Sequence, residues 1–324
     1  MSTCRICNTE KNNKIYLARE MMFGFREQFE YFECSNCGCL QISKFPEDMS
    51  KYYSTRYYSL KKIKILEQWA KGQRLSYYLH RKILVGFLLS KSIALQNRVS
   101  ELMLKRTAKW IKQTRVKFDD SIIDIGSGNG TLLLQMRSAG FRNLTGIDPY
   151  LGQDHIYNNG VRLLKQELWQ IEDQYDFIML HHTFEHVSDP LNTLKEIYRI
   201  CKPGKTVLIR IPISSSFAWR KYGINWVQLD APRHFFLHTR KSMEMLAQKV
   251  GFKILEVIYD STEFQFWGSE QFLRDIPLKA RNSYGVNPKQ SIFSKEEIKL
   301  FRSKAEELNK ANDGDSACFI LCKI

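Results

Sequence analysis

The chain has 324 residues and carries 49 Lys and Arg against 34 Asp and Glu, a formal net charge of +15. That length supports one large core of about 200 residues plus a small satellite module. Nothing in it is low-complexity or repetitive, which excludes a repeat array or a compositionally biased tail.

In chain order the first signal is a pair of Cys-x-x-Cys motifs, Cys4/Cys7 and Cys34/Cys37. Each motif on a tight turn presents two thiolates to one tetrahedral ion, and four such ligands close a structural zinc site that leaves no position for water. Gly38 suits a knuckle whose backbone amides point at sulfur, whereas Cys39 fits a regular ribbon poorly and is left out. Disulfides are the competing reading. No apolar signal segment precedes Cys4, and Cys39, Cys201, Cys318 and Cys322 form no paired pattern, so a reducing, cytoplasmic setting is expected. The zinc-binding module is assigned residues 1–45.

Residues 46–118 read as a basic helical linker. Between Arg56 and Lys117 there are 16 Lys or Arg against only Glu67 and Glu101, so this stretch supplies nearly all of the net charge. Apolar residues at Leu79, Ile83, Leu84, Phe87 and Leu88, and again at Val99, Leu102 and Met103, fit amphipathic helices with basic outer faces. The longest uncharged run there, 83–90, is too short to span a bilayer. Nucleic acid, an anionic membrane surface and a phosphate-bearing substrate all suit such a surface, and the sequence does not choose among them.

Residues 119–324 carry the chemistry. An apolar strand at Ser121–Ile125 runs into a loop with Gly126, Gly128 and Gly130, followed by a helix opened by Thr131 and Leu132. Glycines let the backbone turn tightly and approach a ligand, and the helix N-terminus favours negative charge, which is what a nucleotide-like cofactor needs. A second strand ends in Asp148, about 20 residues on, where doubly wound folds hold a ribose by its hydroxyls. Further strands are expected at 161–164, 177–180, 206–211 and 254–259, alternating with helices from Leu191 to Cys201, stopped by Pro203-Gly204, and from the N-cap Thr239 to Gly251. A helical insertion at 263–315 contains a helix that starts in the capping box Ser294-Lys-Glu-Glu297. A last strand, 317–323, completes an α/β, Rossmann-like, seven-stranded sheet.

The run Asp124-Ile-Gly-Ser-Gly-Asn-Gly130, with Gly146-Ile-Asp148, Tyr175 to Val187, Asp189-Pro190 and Lys202-Pro-Gly204, resembles the class I S-adenosylmethionine-dependent methyltransferases over about residues 119 to 262. The third glycine comes one residue sooner than the Gly-x-Gly-x-x-Gly of nicotinamide-binding proteins places it. The resemblance implies S-adenosylmethionine as cofactor, held by Asp124, Gly126, Ser127, Gly128, Gly130, Asp148 and Pro149, with His181 and His182 wrapping its methionine end. Methyl transfer to a hydroxyl or carbon acid also needs a base, and Glu185-His186 and Arg233-His234 each set an imidazole beside a charge at the sheet's carboxyl edge. Glu185, His186 and His234 are therefore the catalytic candidates.

The N-terminal segment, with Cys34-Ser-Asn-Cys-Gly-Cys-Leu-Gln41, is similar to the zinc-binding segment of nucleotide-sugar C-methyltransferases and related glycan-biosynthesis enzymes. Thr183 stands where those enzymes would carry a tyrosine beside the Glu-His pair, which turns the expectation from carbon to a sugar hydroxyl of a nucleotide- or lipid-linked precursor. The alternative is a zinc-ribbon RNA base methyltransferase. It would use the basic surface, but the chain has neither an Asn/Asp-Pro-Pro-aromatic tetrad nor a Pro-Cys nucleophile.

Overall fold

The computed structural model describes residues 2–53 and 107–324. Most of the basic segment, with the helices expected in it, lies outside the described residues. Among the described residues no helix is long and apolar enough to cross a membrane.

Two sheets organise the chain. The first contains β1 (Lys14–Arg19), β2 (Gln28–Glu33) and β3 (Leu40–Ile42), paired antiparallel in that order. Its fourth strand comes from far downstream: β10 (Phe236–Leu237) pairs with β3, Phe236 opposite Gln41. The second contains β4 (Ser121–Ile125), β5 (Asn143–Ile147), β6 (His155–Ile156), β7 (Arg162–Leu164), β8 (Tyr175–His181), β9 (Cys201–Pro212), β11 (Phe252–Tyr259) and β12 (Ser316–Lys323). Their order is β11-β12-β9-β8-β4-β5-β7-β6. The central pairs are parallel, while β12 runs antiparallel to both β9 and β11. The sheet is thus mixed. It has eight strands where seven were expected, because the two-residue β6 adds an antiparallel edge to β7.

Alternation along the central strands explains the two covered faces. Ile122, Phe177 and Leu208 point to one side, against Trp110 and Ile111 of α1 (Thr107–Thr114) and Leu133, Leu134 and Met136 of α2 (Thr131–Ala139). Ile123, Ile178 and Val207 point to the other, against α3 (Pro190–Ile200) and α5 (Arg240–Val250). Leu194, Ile197 and Ile200 of α3 are fully buried there, each contributing about 1.5–3 kcal/mol. Cys4, Ile6, Phe32 and Cys37 of the N-terminal module belong to that same core. The outer face of the first sheet packs on α4 (Phe217–Tyr222), α6 (Phe264–Leu273) and α7 (Lys295–Lys310) through Tyr31, Leu40, Trp219, Phe266 and Leu308.

Caps set the helix ends. Asp189 accepts from Asn192 N at 3.0 Å and Pro190 opens α3; Thr239 and Ser242 form a capping box for α5, which ends at Gly251 with φ 97°. The stop expected at Pro203-Gly204 is not used. α3 ends at Ile200 because Cys201 turns extended (φ −84°, ψ 128°) and starts β9 at once. Pro203 and Gly204 instead occupy the register break between the pairs Tyr175–Cys201 and Phe177–Thr206, where a missing donor costs no ladder bond.

Candidate functional site

β4 is the point at which the strand order reverses, with β5 on one side and β8 on the other, so the crevice beyond its carboxyl end is where this architecture binds ligands. The glycine loop leaves β4 there. Gly126, Gly128 and Gly130 all have positive φ (73°, 53° and 73°), and a Cβ at Gly130 would lie 2.7 Å from Leu163. The loop is tied to β5: Gly126 N and Ser127 N both donate to Ile147 O, and Gly128 N donates to Asp148 Oδ2 at 2.9 Å.

Asp148 Oδ1 accepts from Tyr150 N at 2.9 Å, which fixes the carboxylate while each oxygen keeps a lone pair. Pro149 follows, half-buried. Asp124 is buried, and its Oδ1 has no hydrogen-bond partner among the described residues; Ser127 Oγ is in the same position. Burial, together with the charge of Asp148, pushes the Asp124 carboxyl up to about 8. A nucleoside cofactor with hydroxyl and cationic groups fits these acceptors.

The segment after β8 joins this loop to a second centre. Thr183 packs on Gly126 so closely that a Cβ on the glycine would overlap its hydroxyl. On either side of Thr183, His182 and His186 line a cavity of about 380 Å³ shared with Gln228, Asp230 and His234. His181 does not line it, its ring lying 5.5 Å from Trp110 with Nε2 buried and without a hydrogen-bond partner among the described residues. His182 is left-handed (φ 53°), held by its N–H to Arg210 O, with Nε2 2.6 Å from Arg210 Nη1.

Glu185, His186 and His234 converge: one ligand atom from each lies within 4.8 Å of the others. His186 Nδ1 is 2.7 Å from Arg233 O and His234 Nδ1 is 2.7 Å from Gln228 O. A ring nitrogen facing a carbonyl must carry the proton, so in the neutral form of either imidazole Nε2 is the atom that keeps a lone pair. Burial and the neighbouring His234 lower the pKa of His186. Glu185 has no exposed surface; burial alone would raise its carboxyl, but the imidazoles of His182, His186 and His234 more than offset that and hold it low.

At the N-terminal module the four sulfurs of Cys4, Cys7, Cys34 and Cys37 also lie within 4.8 Å of one another, and none of the eight cysteines is in a disulfide. Cys4 and Cys37 are 3.6 Å apart, Cys7 and Cys34 3.4 Å. Ile6 N and Cys37 N point at sulfur, and Gln41 Nε2 donates to Cys4 Sγ at 2.9 Å. The cluster can hold a metal ion. Cys39 stands apart from it, its sulfur 3.8 Å from His238 Nδ1.

A family model described as "Methyltransferase domain" matches residues 94–257, half of the chain. The chain belongs to this methyltransferase family. Ubiquinone biosynthesis O-methyltransferase of Aeromonas salmonicida (strain A449) is 34% identical over 105 residues, 28% of this chain and 43% of that protein. EEF1A lysine methyltransferase 2 of Homo sapiens is 40% identical over 48 residues, 15% of this chain and 20% of that one. This chain therefore spans less than half the length of these curated relatives. The solved structure of the cyclopropane synthase MmaA2 from Mycobacterium tuberculosis matches 78% of this chain and 95% of its own at 14% identity, with a TM-score of 0.43.

Several residues of the candidate site were not singled out from the sequence. Tyr53 reaches in from the end of the N-terminal module, its hydroxyl 3.1 Å from His186 Nδ1 and its ring stacked 6.5 Å from Tyr150. Asp230 lies 3.8 Å from His234 Nε2 and pairs with Arg233, whose carbonyl holds His186. Arg210 and Asp260 form a further, half-buried pair at 2.5 Å on the cavity wall. Tyr53 and the Arg210–Asp260 pair meet their partners only through tertiary folding, whereas Asp230 stands three and four residues before Arg233 and His234, a local spacing that could have marked it.

Proposed function

We propose that this chain transfers a methyl group from S-adenosylmethionine to a hydroxyl of a small polar metabolite, with a sugar of a nucleotide- or lipid-linked glycan precursor as the acceptor class. The observation that carries this reading is the pair of imidazoles, His186 and His234, both with Nδ1 tied to backbone carbonyl and Nε2 free beside one cavity. When bound, the cofactor supplies an electrophilic methyl on a cationic sulfur. Asp148 is placed to take the ribose hydroxyls, the amides of the glycine loop bring backbone against the ligand, and Asp124 offers a buried carboxylate to its positive end. His234 Nε2 or His186 Nε2 accepts the acceptor's proton, with Glu185 offsetting the charge that develops. The mixed polar lining of Gln228, Asp230, Ser261 and Thr262 suits a hydroxylated acceptor.

The four-cysteine cluster holds zinc in this reading, in a structural role, because an all-thiolate site has no open position. Transfer of labelled methyl to a panel of nucleotide sugars and to unmodified RNA tests the acceptor class. The reading expects label in the sugars; label in RNA alone, collapsing as salt rises, would replace it with an RNA methyltransferase.

A further inference from the structure

Glu185 is in an unusual position for a carboxylate. It is completely buried, and neither oxygen has a hydrogen-bond partner among the described residues. The groups nearest to it are imidazoles: His182 Nδ1 at 3.4 Å and His234 Nε2 at 3.9 Å from Oε1. An ionised carboxylate left in that state is costly unless a cation compensates it. The described basic side chains close by are committed elsewhere, Arg210 to Asp260 and Arg233 to Asp230 and Glu20.

His186 and His234 are oriented as metal-ligating histidines are, each with Nδ1 facing a backbone carbonyl and Nε2 left to offer a lone pair. From these observations we infer that Glu185, His186 and His234 form a second metal site, a two-histidine, one-carboxylate set for a divalent first-row cation such as Mn²⁺, Fe²⁺ or Zn²⁺. Three protein ligands leave open positions, and the cavity supplies the space in front of them. Glu185 closes the site from behind, with no surface of its own.

The inference rests on the proposed function for the methyl transfer and the acceptor class, and replaces its imidazole base by the ion. In the loaded site the imidazoles hold the ion and do not take up the acceptor's proton. An acceptor with two adjacent oxygens, such as a vicinal diol, would fill the open positions. Coordination lowers the pKa of the hydroxyl; its O–H bond breaks with the electron pair kept on oxygen, and the proton leaves to water in the cavity. Asp230, 3.8 Å from His234 Nε2, borders the site and keeps its ion pair with Arg233.

The test is titration of Mn²⁺ alone into the full chain, its cysteine cluster already loaded with zinc, followed by calorimetry and by the Mn²⁺ electron paramagnetic resonance signal. One Mn²⁺ per chain is expected for the wild type. In Glu185→Gln and in His234→Ala the dissociation constant should rise by more than the roughly 10–100-fold that loss of an outer partner costs. S-adenosylmethionine titration in the same samples verifies the fold of each variant, and His186→Gln serves as the third arm should one of them not fold. Absence of a Mn²⁺ signal in wild type, or equal binding by wild type and folded variants, overturns the metal site. Because cofactor binding and methyl transfer are read separately, their failure alongside intact Mn²⁺ binding would count against the enzymatic reading alone.

Discussion

Glu20 and Arg233, 213 positions apart, form an ion pair in which neither side chain has any exposed surface, Oε1 lying 3.1 Å from Nη1. Glu20 is further held by the backbone amides of Met22, Phe23, Gly24 and Phe25, and Arg233 by Asp230. The pair ties the N-terminal module to the loop that presents His234 and whose Arg233 carbonyl orients His186. Removing one partner strands a buried charge, so Glu20→Ala and Arg233→Ala should each cost about 3–5 kcal/mol in denaturant unfolding. Turnover should fall as well, because the carbonyl that fixes the His186 tautomer moves with Arg233. Two variants with wild-type unfolding midpoints would show that this pair does not hold the module and the loop together.

A second prediction concerns the sulfur cluster. Cys34→Ser should lower the metal content of the chain by the ion assigned to this cluster, and the effect should spread beyond the module. β3, which follows the cluster, pairs with β10 only two residues after His234, and Thr239 Oγ1 donates to Cys37 O. The variant is therefore expected to bind S-adenosylmethionine normally while losing methyl transfer. Full metal content in Cys34→Ser, by elemental analysis, would contradict the assignment.

Asp124 gives a pH prediction. Its folded-state pKa of about 8 exceeds the unfolded value of roughly 3.9. A group raised in this way favours folding fully below the unfolded value, and that contribution is lost as pH rises through the folded one. Asp124→Asn has no such loss. Without cofactor, the variant's unfolding free energy should gain on wild type from about pH 4 to pH 8, by on the order of 5 kcal/mol, and then level off. Urea unfolding across that range checks it, and a difference independent of pH would mean that Asp124 is solvated or paired.

Much of this was legible in the sequence because it is local. The strand, glycine loop and Asp148 lie within thirty residues, each Cys-x-x-Cys is its own turn, and the N-cap at Thr239 and the capping box at Ser294 are local signals. What was not legible depends on distant partners. β10 is two residues long and exists only because β3 presents an edge to it. α6, Phe-Gln-Phe-Trp-Gly-Ser-Glu-Gln-Phe-Leu, buries Gln265, Ser269 and Gln271 as well as Phe266 and Phe272, so no apolar stripe marks it as a helix. Tyr53 and Glu20 belong to the site through contacts that no spacing rule connects.

The most direct measurement is calorimetric titration of S-adenosylmethionine into the wild-type chain and into Asp148→Ala. Asp148 is held by Gly128 N and Tyr150 N, which leaves one lone pair on each oxygen for the ribose. Two hydrogen bonds to a charged acceptor should make the variant's affinity weaker by on the order of 10²-fold or more. The account predicts one cofactor bound per wild-type chain and that loss in the variant; no binding by wild type, or equal binding by both, would contradict it.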